Sequence, residues 1–235
     1  MDTATAFVRA HTTIGTVSHV PEIRLHLAAD AFALWERTEE ERGGAISAPP
    51  FWAFPWAGGQ ALARHLLDHP EVVAGATVLD LAAGSGLVAI AAAKAGAAAV
   101  TASEIDPYAT AAIALNALAN DVTVRASLAD VLDSDADAEV ILAGDVFYSR
   151  EMAERVLAFL DRAAARGARV LVGDPGRAYL PRHRLVEVAR HDVAVVRELE
   201  DADVKRVTVW RLAHPVQRRR APVEQRWNGV ERGQG

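Results

Sequence analysis

The stretch Thr77–Gly86, TVLDLAAGSG, constrains this chain more than any other. Val78–Leu81 reads as a short buried strand, Ala82–Gly86 as a small-residue turn, and Leu87–Lys94 as a helix with Gly96 at its stop. Strand, small-residue turn and helix in that order let a ligand approach the backbone at the strand's carboxyl end. Asp80 lies within that apolar strand end, where a carboxylate is costly unless it meets a partner. Glu104 closes the next apolar run, Ala97–Ser103, 20 residues beyond Gly84. At that distance an acidic side chain reaches a ribose hydroxyl.

Two ligand classes fit such a turn. Gly84-Ser85-Gly86-Leu87-Val88-Ala89 satisfies the G-x-G-x-x-G/A dinucleotide fingerprint. The spacing Asp80-x-Ala82-x-Gly84-x-Gly86 resembles the first motif of class I S-adenosylmethionine methyltransferases, with Ala82 where that family usually has glycine. The turn sits 80 residues into the chain, whereas dinucleotide domains often begin with it. A strand-end carboxylate also suits a ligand carrying an ammonium and a sulfonium, and repels a pyrophosphate. Both points favour the methyltransferase.

The rest of the chain bounds the function. Its 235 residues suffice for one α/β domain plus an N-terminal extension, and 51% hydrophobic residues can bury a sizeable core. With no cysteine there is no disulfide, thiolate metal site or cysteine nucleophile. No long apolar run marks a signal peptide or a membrane span, so a cytoplasmic setting without membrane contact is expected. A formal net charge of −6 argues against general nucleic-acid binding. Residues 216–235 run the other way, with five Arg and two Glu and no periodicity, and read as a flexible basic tail.

Taken in order, Val20–Leu27 alternates as a strand, and Asp30 caps a helix from Ala31 to about Glu41 with Phe32 and Trp35 on its inner face. The segment PPFWAFPWAGG, residues 49–59, crowds four aromatics into six residues and reads as a ligand-pocket wall or a loop pinned by its rings. A helix follows over Gln60–Leu67. Its His65 and His69 are spaced i, i+4, but Leu66 stands where H-E-x-x-H needs Glu, so an exposed helix face is expected and no metal. Strand Ala98–Ser103 leads to a helix capped by Asp106 with Pro107 first and Asn120 last. Strands Val122–Arg125, Glu139–Ala143 and Arg169–Val172, with helix Arg150–Ala165, continue the alternation. A short helix over Pro181–Ala189 and a hairpin of Asp192–Leu199 with Lys205–Leu212 complete it. Five crossover strands and a closing hairpin predict a doubly wound, mostly parallel seven-stranded α/β sheet. Asp80–Gly86, Glu104, Asp130, Gly144–Tyr148 and Gly173–Arg177 all fall at its carboxyl edge.

PFWAFPWAGGQALARHLL, VLDLAAGSG, ASEIDP, GDVFY and GDPGR, in this order, resemble the family-16 seven-strand methyltransferases. The nearest branch methylates lysine in the β-subunit of electron transfer flavoprotein. The resemblance covers about residues 7–212 and divides the chain into an extension (1–48), the methyltransferase domain (49–214) and the tail (215–235). It implies S-adenosyl-L-methionine as cofactor and a protein lysine as acceptor. Trp52 and Trp56 would flank the cofactor or the target amine; Asp80, Gly84 and Gly86 would cradle the methionine end; Glu104 would hold the ribose; and Asp130 would meet the adenine edge. Asp145 and Tyr148 would face the amine as the catalytic pair, with Phe147, Asp174 and Arg177 on the acceptor side. A small-molecule acceptor, a non-catalytic cofactor-binding domain and a nicotinamide-dependent oxidoreductase are the competing readings.

Overall fold

The computed structural model describes residues 2–41, 43–44, 48–135, 137–195 and 202–213, so the basic tail lies outside the described residues. Five parallel strands form the centre: β3 (Thr77–Leu81), β4 (Ala99–Glu104), β5 (Arg125–Leu128), β6 (Val140–Gly144) and β7 (Arg169–Asp174). With β8 (Leu185–Ala194) and β9 (Val204–Leu212) they make one seven-stranded sheet of order β5-β4-β3-β6-β7-β9-β8. The last two strands run antiparallel, and β9 inserts between β7 and β8. The chain winds outward from β3 through β4 to β5, then returns to the other side of β3 as β6. That reversal opens a crevice at the strands' carboxyl ends.

Strand alternation sorts the core into two faces. Val78, Val100, Ala102, Val140 and Leu142 pack with Leu62 and Leu66 of α3 (Ala57–Asp68), Ile90 of α4 (Leu87–Lys94) and Ile113 of α5 (Pro107–Ala119). Leu79, Leu81, Ile141, Ala143, Val170 and Val172 pack with Val156, Phe159 and Leu160 of α6 (Arg150–Ala165). The cap signals operate locally: Asp106 accepts the Tyr108 N–H, and Ser149 accepts that of Met152.

Several expectations are corrected. The first turn of α3 already contains Gly58 and Gly59: Gly58 presses against Gly173 of β7 and Asp145, where a side chain would not fit, and the Gly59 backbone lies against Gly144 of β6. Strand β5 starts at Arg125, three residues later than its apolar run suggested, since Val122 and Val124 pack before pairing begins. Pro181–Ala189 is not a helix: a single 3-10 turn, Arg182–Arg184, leads into β8, whose pairing with β9 begins at Leu185. Helix α2 (Ala31–Glu41) buries Leu34 and Thr38, while Phe32 is 66% exposed and Trp35 half-buried. His65 is 5% exposed rather than on an open face, its ring 4.7 Å from that of His69.

The extension is more ordered than its sequence suggested. Asp2 caps α1 (Thr3–His11), and β1 (Thr13–Val17) pairs with β2 (Val20–Leu27) as a separate hairpin. Phe7 of α1 meets Tyr108 of α5 with ring centres 4.7 Å apart. The outer edge of β2 is satisfied by side-chain amides: Asn116 accepts the His26 N–H at 2.7 Å and Asn120 the Arg24 N–H at 3.0 Å. Asn116 also donates to the Ser85 carbonyl at 2.9 Å, joining this hairpin to the glycine turn. Among the described residues no helix is long and apolar enough to cross a membrane.

Candidate active site

A cavity of about 350 Å³ opens at the carboxyl ends of β3, β4 and β6, roofed by the 3-10 turn Phe51–Ala53. Its floor is the turn after β3. Ala82, Gly84 and Gly86 all lie at positive φ, at 51°, 54° and 77°. Ala82 thus adopts the left-handed backbone that glycine takes freely, at a cost of about 1–2 kcal/mol. A Cβ on Gly84 would lie 3.8 Å from the Phe51 carbonyl oxygen and 3.9 Å from the Trp52 Cα, filling the gap between floor and roof. Gly86 does not line the cavity; its missing side chain makes room for Ile113 of α5, 3.1 Å from where a Cβ would sit.

Two carboxylates define the floor's charge. Asp80 is 1% exposed and accepts the Ala89 N–H of α4 at 2.9 Å. Burial, together with the nearby charge of Glu104, pushes its carboxyl up to about 8. Glu104 accepts the Gly84 N–H at 2.7 Å through Oε1 and the Ile105 N–H at 3.0 Å through Oε2. Burial raises Glu104 as well, against these hydrogen bonds. Among the described residues neither has an ion-pair partner, so the floor suits a ligand that brings positive charge and hydroxyl donors. Asp130, on the far wall, is held below the ordinary carboxylate range by its hydrogen bond from Arg155 at 2.8 Å; its other oxygen accepts the Leu132 N–H.

Aromatic side chains also line the cavity. Trp52 is buried and stacks on Tyr108 at 6.4 Å, and Trp56 donates its indole N–H to the Phe51 carbonyl at 2.9 Å. Phe51 meets the rings of Trp56 and Tyr148 at 5.7 and 5.8 Å. Tyr148 is 52% exposed, and its hydroxyl is pushed up by burial and by the charge of Glu104. Asp145 follows β6 at φ 58°. Its Oδ2 accepts the Gly59 N–H at 3.0 Å, and its Oδ1 accepts Arg177 Nε and Nη2 at 3.0 and 2.5 Å.

Trp52, Trp56, Asp80, Gly84, Glu104, Asp130, Asp145, Tyr148 and Arg177 therefore share one cavity. Phe147 does not join them. The chain turns at Asp145, so Tyr148 faces out while Phe147 is fully buried against α6. Asp174 is also outside the lining: its buried Oδ1 accepts the Gly176 and Arg177 N–H groups at 2.6 and 2.7 Å and shapes the turn that carries Arg177. Sequence reasoning missed Ile105 and Arg155, while Phe51 belongs to the aromatic segment read as a pocket wall. Ile105 carried a signal, an apolar residue directly after Glu104 that is 72% exposed.

A family model described as ribosomal protein L11 methyltransferase (PrmA) matches residues 61–170. The chain is 36% identical to the electron transfer flavoprotein beta subunit lysine methyltransferase of Xenopus laevis over 87% of its own length and 85% of the relative's. It is 35% identical to the protein of that name in Homo sapiens, over 87% and 80%. The fold is shared with magnesium protoporphyrin IX methyltransferase of Synechocystis PCC 6803, solved with bound SAM, at 15% identity and a TM-score of 0.50, covering 66% of this chain and 78% of that one. These relatives set aside the nicotinamide reading of the glycine turn. The chain belongs to the electron transfer flavoprotein beta subunit lysine methyltransferase family and is a class I methyltransferase.

Proposed function

We propose that the chain transfers methyl groups from S-adenosyl-L-methionine to a lysine side chain of a protein, the electron transfer flavoprotein β-subunit or one similar to it. The observation that carries this reading is that one cavity gathers the carboxylates of Asp80 and Glu104, the rings of Phe51, Trp56 and Tyr148, and Asp145. Asp80, buried, and Glu104, half-buried, neither paired with a cation among the described residues, fit a ligand with an ammonium, a sulfonium and ribose hydroxyls, and Gly84 leaves the space beneath the roof. Trp52, Asp130 and the exposed Ile105 are the remaining candidates for holding it. When bound, the cofactor supplies a methyl group already activated on a positively charged sulfur.

The protein's part is then positioning and charge. The rings of Trp56, Phe51 and Tyr148 strip water from an arriving amine, which disfavours its charged form. Asp145 accepts its hydrogen bond and Tyr148 bounds it on the open side. The acidic balance of the chain favours a protein acceptor over nucleic acid. The test is mass spectrometry of a cell lysate incubated with the protein and S-adenosylmethionine, alongside calorimetry with S-adenosylhomocysteine. Micromolar binding and a new methylated lysine are expected; no binding, or label in small molecules alone, would refute the reading.

A further inference from the structure

Asp145 is already engaged on both oxygens before any acceptor arrives, by the Gly59 N–H and by the Arg177 guanidinium. Arg177 is not a loosely tethered arm. Asp174 clamps its backbone N–H and that of Gly176, and Gly176 lies at φ 94°. The Asp145 N–H in turn donates to the Gly173 carbonyl, so carboxylate and guanidinium are set by one register between β6 and β7. The guanidinium carbon lies 5.8 Å from the centre of the Trp56 ring, on the aromatic side of the cavity.

A lysine reaches the site as an ammonium, which has no lone pair. Before it can attack, one N–H bond must break, the proton passing to solvent water and the electron pair staying on nitrogen. A bare carboxylate would oppose that loss by holding the ammonium. A carboxylate bonded to a fixed guanidinium still accepts a hydrogen bond but presents no net negative charge. The other ionisable groups around the cavity do not supply the missing cation. Asp80, Glu104 and Asp106 are acids, burial raises the Tyr148 hydroxyl, and the other cation in the described lining, Arg155, is engaged by Asp130 and Asp133. Resting on the reading that Asp145 faces the acceptor, we propose that Arg177 is a positioning residue: it pairs with Asp145 so that the acceptor meets a hydrogen-bond acceptor without net charge, and so favours the neutral, nucleophilic amine.

The experiment is a pH–rate profile of kcat/KM for the full chain from pH 6.5 to 10, with S-adenosylmethionine and the acceptor protein identified from the lysate. Wild type should rise with pH to a plateau. Arg177→Gln should move the midpoint of that rise up by about one pH unit, costing about tenfold at neutral pH and approaching wild type at pH 10. Arg177→Lys, which keeps the charge, should restore the wild-type midpoint. Unchanged S-adenosylhomocysteine affinity in both variants reports an intact fold. A rate lowered equally at every pH would make Arg177 merely structural, and a raised rate would make it a plug in the acceptor's place; either overturns the inference. A wild-type chain that methylates nothing, or a fully active Asp145→Asn, sinks the reading of the site and this inference with it. An impaired Asp145→Asn beside an Arg177→Gln with the wild-type midpoint sinks this inference alone.

Discussion

The backbones of Gly58 and Gly173 are in direct contact: a Cβ on Gly173 would lie 2.1 Å from the Gly58 carbonyl oxygen, and one on Gly58 would lie 2.2 Å from that of Gly173. The start of α3 is thereby driven against the ends of β6 and β7, which is what brings the Gly59 N–H to Asp145. Gly173→Ala should destabilise the chain by about 3 kcal/mol or more, since backbone cannot move aside as a side chain does. Gly59→Ala, where the nearest side-chain atom to a Cβ is 3.8 Å away, should be neutral or stabilising by up to about 1 kcal/mol. Urea midpoints of the two variants check the contrast; equal losses would deny the contact its role.

Asp80 ties stability to pH. The unfolded chain releases its proton near 3.8, whereas the fold keeps it to about 8. Between those values the folded state binds the extra proton, so the Asp80 contribution to stability falls as pH rises, by up to about 1.4 kcal/mol per pH unit, and its full cost is present above about 8. Glu104 and Asp174, also raised by burial, act in the same direction. Asp80→Asn should therefore flatten the decline in melting temperature between pH 5 and 8. A cationic ligand should instead expel the proton, so S-adenosylmethionine binding at pH 7 should release a proton. Titration calorimetry in two buffers of different ionisation enthalpy reads that release; identical heats would count against it.

Glu104 holds the glycine turn as well as facing the cavity, through its Gly84 bond. Glu104→Gln keeps an acceptor for that N–H and loses the charge offered to the ribose; Glu104→Ala loses both. Cofactor affinity should fall in the order wild type, Gln, Ala, with each lost charge-assisted bond worth about 1.5–3 kcal/mol. Calorimetric affinities of all three proteins decide it, and an Ala variant that binds as wild type would remove Glu104 from the ribose.

Asp145→Asn tests the acceptor end. Asparagine tolerates positive φ and its one amide oxygen can still accept the Gly59 N–H, though its amide nitrogen cannot accept from Arg177, so S-adenosylhomocysteine affinity serves as the check that the fold is kept. Loss of the carboxylate charge should lower kcat/KM for the acceptor about tenfold or more while S-adenosylhomocysteine affinity stays within about twofold. Full turnover by the variant would show Asp145 to be a helix cap.

Much of this was legible in the residues themselves. Helices α4, α5 and α6 carry their own start and stop signals, such as Asp106-Pro107 and Gly96, and fall where those signals put them. The strand-end acids were legible because a charge closing an apolar run has to be explained by its surroundings, and Asp80, Glu104 and Asp145 do meet in one cavity. What local pattern lacks is direction. Nothing in GDVFY says that Asp145 takes a left-handed turn, and that turn decides whether Phe147 or Tyr148 faces the ligand. The end of β8 falls in the expected hairpin strand from Asp192, whose residues 196–199 lie outside the described residues; its first part, residues 185–191, was hidden because, on an edge strand, most of its side chains meet solvent and its mixture of Val, Glu, Arg and His carries little periodicity. The aromatic segment read as a pocket wall did not say which part of the site it covers; the fold lays the Phe51 turn over Gly84.

The amides that seat the N-terminal hairpin lie far downstream: Arg24 and Asn120 are 96 positions apart. On a ribosome adding about 5–20 residues per second, the outer edge of β2 is made roughly 5–20 s before the side chains that cap it exist. Chains halted before residue 116 should accordingly show this hairpin open to protease, and chains extended past α5 should show it closed. For that interval the nascent chain carries an unprotected strand edge, a template for unwanted pairing. Asn116 and Asn120, at the end of α5, thus also set the moment in synthesis at which that edge can first be covered.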